Sequence, residues 1–232
     1  PPDSSLWLRA VGSETAREIP GTQGARPVAD GWSPDSQAIV FATTNEIKRV
    51  AIDGSEPITL ADLPGTGSEG FRGVSWSPDG ERIVFSSRVS LFEIAARGGE
   101  PKILLGDQSL GYVEPHFLPT NGSSDTLVYE SNSRIWVSNL GTGESSEIGP
   151  GSAPVYSPAG YLILESSDEN EPGLRALPFS LVTLKPTGEA FPIVEGGEGA
   201  SVAQDGTLAY LDSLVAARYT HSLVWRSRAG EL

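Results

Sequence analysis

With two histidines, 30 acidic side chains and no cysteine in 232 residues, few kinds of site chemistry are open to this chain. His116 and His221 cannot make a multi-histidine metal site, and a mixed histidine and carboxylate site would have to be gathered from distant segments. Without cysteine there is no disulfide, thiolate nucleophile or thiolate metal site. A serine nucleophile elbow needs Gly-x-Ser-x-Gly between a strand and a helix, with a downstream acid and histidine. The nearest stretch, Gly65-Thr-Gly-Ser-Glu-Gly70, has the wrong spacing and reads as a flexible linker. No catalytic residue, cofactor or resident metal is therefore expected. Calcium is the ion that the oxygen ligands Asp168, Glu169, Asn170 and Glu171 would suit, with Asp35, Asp53 and Asp79 as further loop carboxylates. The spacing of a calcium loop is absent, so 168–171 reads as a solvated acidic turn, and Asp35 and Asp79 as turn formers.

Five residues remain as ligand-binding candidates, Arg26, Asp30, Arg72, Glu114 and His116, with Ser201 in an equivalent place. What unites them is position within a repeat. Trp32-Ser33-Pro34-Asp35 and Trp76-Ser77-Pro78-Asp79 stand 44 residues apart. That spacing fits one four-stranded propeller blade, about 40 to 45 residues. A longer version runs from Phe117 and Pro119 to Gly122, and degenerate copies follow at Tyr156-Ser-Pro-Ala-Gly160 and Val202-Ala-Gln-Asp-Gly206. Proline presets φ, aspartate caps the backbone and glycine accepts positive φ, so each copy is a hairpin turn. The repeated aromatics Trp32, Trp76, Phe117 and Tyr156 read as wedges between blades. The candidates lie on the innermost strands or just before them, where polar groups from separate blades can converge at a channel mouth.

After each turn comes a continuous apolar strand, at 39–41, 83–85, 127–129, 162–164 and 208–210, which indicates burial on both faces. A third, alternating strand follows, at Ile47-Lys-Arg-Val50, Leu91-Phe-Glu-Ile94, Ile135-Trp-Val137 and Leu223-Val-Trp225. In most copies an edge strand with proline near its start completes the unit, as at Pro57, Pro101 and Pro192. The segment after the acidic turn, Leu174 to Thr183, is longer than its counterparts, and Pro178 argues against a central strand there. These elements predict one all-β domain over 1–232: a β-propeller of four-stranded antiparallel blades. Its approximate blades are 24–64, 70–106, 111–151 and 152–196, with 199–232 and 5–20 as partial blades. Four complete blades plus a composite or partial blade from the two termini give five to six blades in all, and such sharing would protect open edges.

A formal net charge of −14 repels phosphate backbones and anionic lipid, and no run of Lys or Arg offsets it, so nucleic acid is not an expected partner. No stretch approaches the roughly 18 apolar residues of a membrane span. The chain begins Pro1-Pro2-Asp3 and contains no methionine, and it is expected to be an excerpt of a larger protein.

The Pro-Asp turns at Pro34-Asp35 and Pro78-Asp79 resemble the PD40 or TolB-like propeller repeats, which are WD40-like. More narrowly, an ordered set of stretches is similar to the propeller region that follows the kinase in many bacterial receptor-type serine/threonine protein kinases. The set comprises Leu6-Trp-Leu-Arg-Ala10, Ala16-Arg-Glu-Ile-Pro-Gly-Thr22, Pro115-His-Phe-Leu-Pro119, Ala153-Pro-Val-Tyr-Ser-Pro-Ala-Gly-Tyr-Leu162, Gly188-Glu-Ala-Phe-Pro-Ile-Val194 and Leu223-Val-Trp225. The resemblance implies a noncatalytic sensor or interaction domain on the extracytoplasmic, periplasmic side of a bacterial membrane. It would bind a protein or small polar ligand at the channel mouth, in a parent protein tethered to the membrane. The alternative it carries is a TolB-like envelope scaffold for protein–protein interaction. A metal-dependent propeller lactonase or lyase, or the propeller of a peptidase, ranks behind both.

Overall fold

The turns that interrupt the sequence set the strand register. Ser33 Oγ donates to Asp35 Oδ1 at 2.6 Å, the same oxygen accepts the Gln37 N–H at 3.0 Å, and the Ala38 N–H donates to Ser33 Oγ at 2.9 Å. The second copy repeats the triad, from Ser77 to Asp79 at 2.6 Å, Glu81 to Asp79 at 2.9 Å and Arg82 to Ser77 at 2.9 Å. The Ser33 hydroxyl, followed by the Gln37 N–H, holds the Asp35 carboxyl below the usual range. The last copy keeps only the aspartate, whose Oδ1 accepts the Thr207 N–H at 2.9 Å. Asp35 and Asp79 therefore act in the turns, as their sequence context predicts.

The computed structural model describes residues 4–10, 12–26, 31–64, 71–87, 90–106, 111–120, 125–166, 168 and 170–212, and the backbone of 223–226. Asp30, His221, Glu169 and the 65–70 linker lie outside these. The chain divides into two compact units, Pro1–Gly111 and Tyr112–Leu232. Every strand pairing in both is antiparallel, and no helix occurs among the described residues.

In the first unit β1 (Trp7–Leu8) pairs with β2 (Arg17–Glu18). A sheet of β3 (Ala38–Ala42), β4 (Glu46–Ala51) and β5 (Ile58–Asp62) follows, extended on its inner side by bridges from Arg26 to Ala42 and from Trp32 to Ile39. Next comes a four-stranded sheet of β6 (Val74–Trp76), β7 (Arg82–Ser87), β8 (Ser90–Ala95) and β9 (Lys102–Gly106). The apolar run of β7 is buried on both faces because one face meets Val40, Ile47 and Leu60 of the preceding sheet. Phe41 and Val50 pack the opposite way, against Leu6, Leu8 and Ile19. Trp76 is a wedge between sheets: it is 8% exposed, and its indole N–H donates to the Gly31 carbonyl at 3.1 Å. Trp32 departs from the expectation and stays 43% exposed. Among the described residues the sheet before it in this unit consists of β1 and β2, neither of which is in the cluster around Trp76.

The second unit repeats the plan. Its first sheet is β10 (Tyr112–Phe117), β11 (Thr126–Ser131), β12 (Arg134–Asn139) and β13 (Ser145–Pro150). Then come β14 (Ser152–Ser157), β15 (Tyr161–Glu165) and β16 (Gly173–Ser180), with β17 (Lys185–Pro186) and β18 (Phe191–Glu195) both paired to β16. A sheet of β19 (Gly197–Val202), β20 (Leu208–Asp212) and β21 (Leu223–Arg226) follows. Leu118, Val128 and Ile135 of the first sheet pack on Leu162, Leu164 and Phe179 of the second, which turns its other face, with Ile163, Leu174 and Ala176, to Ala200 and Tyr210 of the third. Although Pro178 weighs against a central strand, β16 is a continuous third strand of eight residues that includes it. The proline is tolerated because β18 pairs β16 only as far as Ala176 and β17 pairs it only from Phe179, so no ladder bond calls for an N–H at Pro178, whose carbonyl accepts the Thr187 N–H at 2.9 Å.

Candidate functional site

Each first strand of the second unit carries a bulge at the same place. In β10 the register passes from Val113 opposite Glu130 to His116 opposite Val128, one residue more on the inner strand than on its partner. The same extra residue appears in β14, from Ser152 opposite Glu165 to Val155 opposite Ile163, and in β19, from Glu198 opposite Leu211 to Ser201 opposite Ala209. The residues that open the bulges, Glu114, Ala153 and Gly199, have φ of 51°, 48° and 60°. Glycine takes this conformation freely, whereas Glu114 and Ala153 each bear a cost of about 1–2 kcal/mol. Proline follows in both strained cases, as Pro115 and Pro154, and brings no N–H for the disrupted ladder to satisfy. A bulge re-aims the side chain it carries, and backbone strain concentrates where geometry serves a function.

Glu114 is directed by its bulge toward two other carboxyls. It hydrogen-bonds Glu130 of β11 and feels the charge of Glu165 of β15. Burial, foremost, and these two neighbours push the Glu114 carboxyl up to about 7, against the stabilising pull of the Ala153 backbone. Burial also raises Glu130, opposed by backbone hydrogen bonds from Ser133 and Ala153. Glu165 reaches the third sheet: its Oε1 accepts the Gly199 N–H at 2.7 Å. Carboxyls at the end of one blade's second strand thus bind the bulge of the next blade's first strand, from Glu130 to Ala153 and from Glu165 to Gly199.

The other sequence candidates are less concentrated. His116 is half-buried on β10, two residues beyond Glu114. Ser201 lies just past the β19 bulge. In the first unit Arg26 is exposed and bridges Ala42, and Arg72 is exposed with its backbone N–H donated to Ser86 Oγ at 3.0 Å. Glu130 and Glu165 were missed from the sequence because each reads as the end of an apolar run. The signal was there: Glu-Ser recurs at 130–131 and 165–166, in the same place of two successive repeats.

A carboxyl raised to about 7 beside a second carboxyl, as Glu114 is, is the kind of group that serves as general acid and base. Here the carboxyls are engaged with each other and with the backbone of the next blade. Among the described residues no group of three His, Cys, Asp or Glu side chains could hold a metal ion. In the acidic turn Asp168 Oδ1 accepts the Asn170 backbone and side-chain N–H groups at 2.9 and 3.1 Å, and Glu171 pairs with Arg175 at 3.2 Å. Those oxygens are committed to the turn.

Antiparallel sheets of up to four main strands, each with its innermost strand first in sequence and apolar layers between neighbours, define a β-propeller. The fold is that of TolB-like propellers. TolB of Acinetobacter baumannii superposes with a TM-score of 0.76 at 13% identity, covering 97% of this chain and 57% of that one. A TolB-type structure from Agrobacterium tumefaciens gives 0.69 at 14% identity, over 94% and 82%. A chain of the nidogen/laminin complex gives 0.66 at 13% identity, over 92% and 80%. The chain therefore spans little more than half the length of the Acinetobacter protein. Similar structures also include enzymes, so the fold by itself does not decide for or against catalysis. No protein-family model matches the chain, and neither does any curated protein sequence.

Proposed function

We propose that the chain is a noncatalytic protein-interaction propeller, a TolB-like scaffold that holds a protein partner on the rim formed by its bulged inner strands. The observation that carries this reading is the engagement of the rim carboxyls. Glu114 and Glu130 engage each other and the Ala153 backbone, and Glu165 accepts the Gly199 N–H, an arrangement that makes a rigid platform rather than a set of free reacting groups. The likeness to TolB structures and to a chain of a protein–protein complex supports the same class of use. The partner is a protein surface or small polar ligand, and the setting is extracytoplasmic by the resemblance of the repeats.

In its finer form the reading makes the chain the sensor region of a receptor-type serine/threonine kinase, supported by the ordered set of stretches from Leu6 to Trp225. Capture from a bacterial envelope extract tests the scaffold: a stoichiometric protein partner retained by wild type and lost on Glu114→Lys, with the fold intact by circular dichroism, is the expected result. A thermal shift with a small polar ligand and no captured protein would favour the sensor. Turnover of a lactone, oligosaccharide or peptide by the isolated chain would overturn both.

A further inference from the structure

We propose that the first unit carries a binding site for a neutral polyhydroxylated ligand, of the saccharide class, in a polar cleft between the loop after β2 and the hairpin of β3 and β4. The site lies wholly within that unit and stands whether or not the bulged strands of the second unit hold a partner. Two independent observations carry it. One is the cleft itself, about 550 Å³ in volume and lined by Gln23, Thr43, Thr44, Asn45, Lys48 and Asp62 among others, with no apolar side chain in its wall. A space of that size falls within the range of small-molecule sites, about 300–1,000 Å³. The other is a departure from the repeat. The third residue of the third strand is Phe92 in β8 and Trp136 in β12, opposite Phe85 and Tyr129 of the strand before. Phe85 and Phe92 stack with ring centroids 5.7 Å apart. In β4 the same place holds Lys48, opposite Phe41. Opposed residues of an antiparallel pair share a face. Phe41 packs against Leu6, Leu8 and Ile19, so the cleft opens where an aromatic ring would have continued that apolar layer. The edge strand departs as well: β9 and β13 end in Gly106 and Pro150, whereas β5 ends in Asp62, opposite Glu46.

The chemistry of the lining selects the ligand. Lys48 Nζ lies 3.0 Å from Glu46 Oε2, and Thr59 Oγ1 donates to Glu46 Oε1 at 3.0 Å. The ammonium of the cleft is thereby neutralised, and an anion finds no free cation there. Gln23 Nε2 donates to Glu18 Oε1 at 3.2 Å. The Thr44 hydroxyl, the Asn45 carboxamide and the Asp62 carboxylate have no hydrogen-bond partner among the described residues. Together they offer N–H and O–H donors beside carbonyl and carboxylate acceptors. Sugar hydroxyls, uncharged and each a donor and acceptor at once, match that set.

Amide chemical-shift titration of the full chain tests the site, with glucose, galactose, N-acetylglucosamine and maltose each added to about 50 mM, since so open a cleft gives millimolar affinity. At least one sugar is expected to shift the amides of 43–46 and 62 saturably. Asn45→Ala and Asp62→Ala should each weaken that binding about tenfold, through the loss of one hydrogen bond to an amide or charged group. Lys48→Phe, which restores the aromatic of the other repeats and fills the cleft, should abolish the shifts and keep the far-ultraviolet circular dichroism. No shift with any of the four sugars, shifts confined to other residues, or affinity unaltered in the variants would overturn the proposal. So would tighter binding of calcium or putrescine than of every sugar, which would make this a cation site. Should Lys48→Phe fail to fold, the two substitutions at exposed positions decide.

Discussion

Trp76 shows how much one side chain contributes between two sheets. Its indole is buried, and its N–H satisfies the Gly31 carbonyl across the seam. Replacement by phenylalanine removes one of the two donors to that carbonyl, which keeps the Val40 N–H at 2.7 Å, and leaves unfilled volume, and should cost about 2 kcal/mol. Urea unfolding of Trp76→Phe, followed by far-ultraviolet circular dichroism, measures this. The equivalent change at Trp32, 43% exposed, should fall within about 0.5 kcal/mol of wild type. The two tryptophans head identical tetrapeptides, and the sequence predicts the same role for both. Their difference was illegible there because it depends on what the neighbouring sheet offers, which is set by the strand content of that sheet and not by the motif. Glu114, by contrast, could be placed from its position before the first strand's aromatic, although its carboxyl partners could not.

At the scale of elements, turns and strands were readable and bulges were not. A turn is written in its own four residues: Ser77 ties Asp79 and the Arg82 N–H together within six positions. Ser77→Ala should lower stability by about 1 kcal/mol through lost turn hydrogen bonds, without altering partner capture, as thermal denaturation and pull-down in parallel would show. A bulge arises from a mismatch between two strands and from the carboxyls that meet it, so Glu114, Ala153 and Gly199 share no residue type. Proline misled in β16 for a similar reason: Pro178 keeps its place opposite Tyr161 of β15 and its carbonyl accepts the Thr187 N–H, while β18 pairs β16 only up to Ala176 and β17 only from Phe179. The start of β16 is the tightest place in the element. Gly173 has φ 139°, and a methyl there would lie 2.1 Å from the Val194 carbonyl oxygen. Gly173→Ala should therefore destabilise the chain by more than about 2 kcal/mol or separate β18 from β16, visible as lost amide protection in Phe191–Glu195.

For the whole molecule, charge sets the terms of association. A net charge of −14 favours partners with a basic contact surface and quickens their encounter at low salt. Raising ionic strength from about 0.05 to 0.5 M should slow association of the captured partner by at least about tenfold, because charges more than a Debye length apart become screened. Surface plasmon resonance separates this from dissociation, which should change little if the buried contacts are apolar. Association that is indifferent to salt would mean that the rim meets its partner through its uncharged groups.

The hydrogen bond from Trp76 to Gly31 also gives the chain an optical signature. The Trp76 indole is sealed at 8% exposure, while Trp7 and Trp32 stand in water at 63% and 43%. In a variant that also carries Trp136→Phe and Trp225→Phe, iodide should therefore quench the emission of Trp7 and Trp32 and leave a blue-shifted component from Trp76. The intensity of that sealed component reports directly on whether the first two large sheets of the chain remain joined.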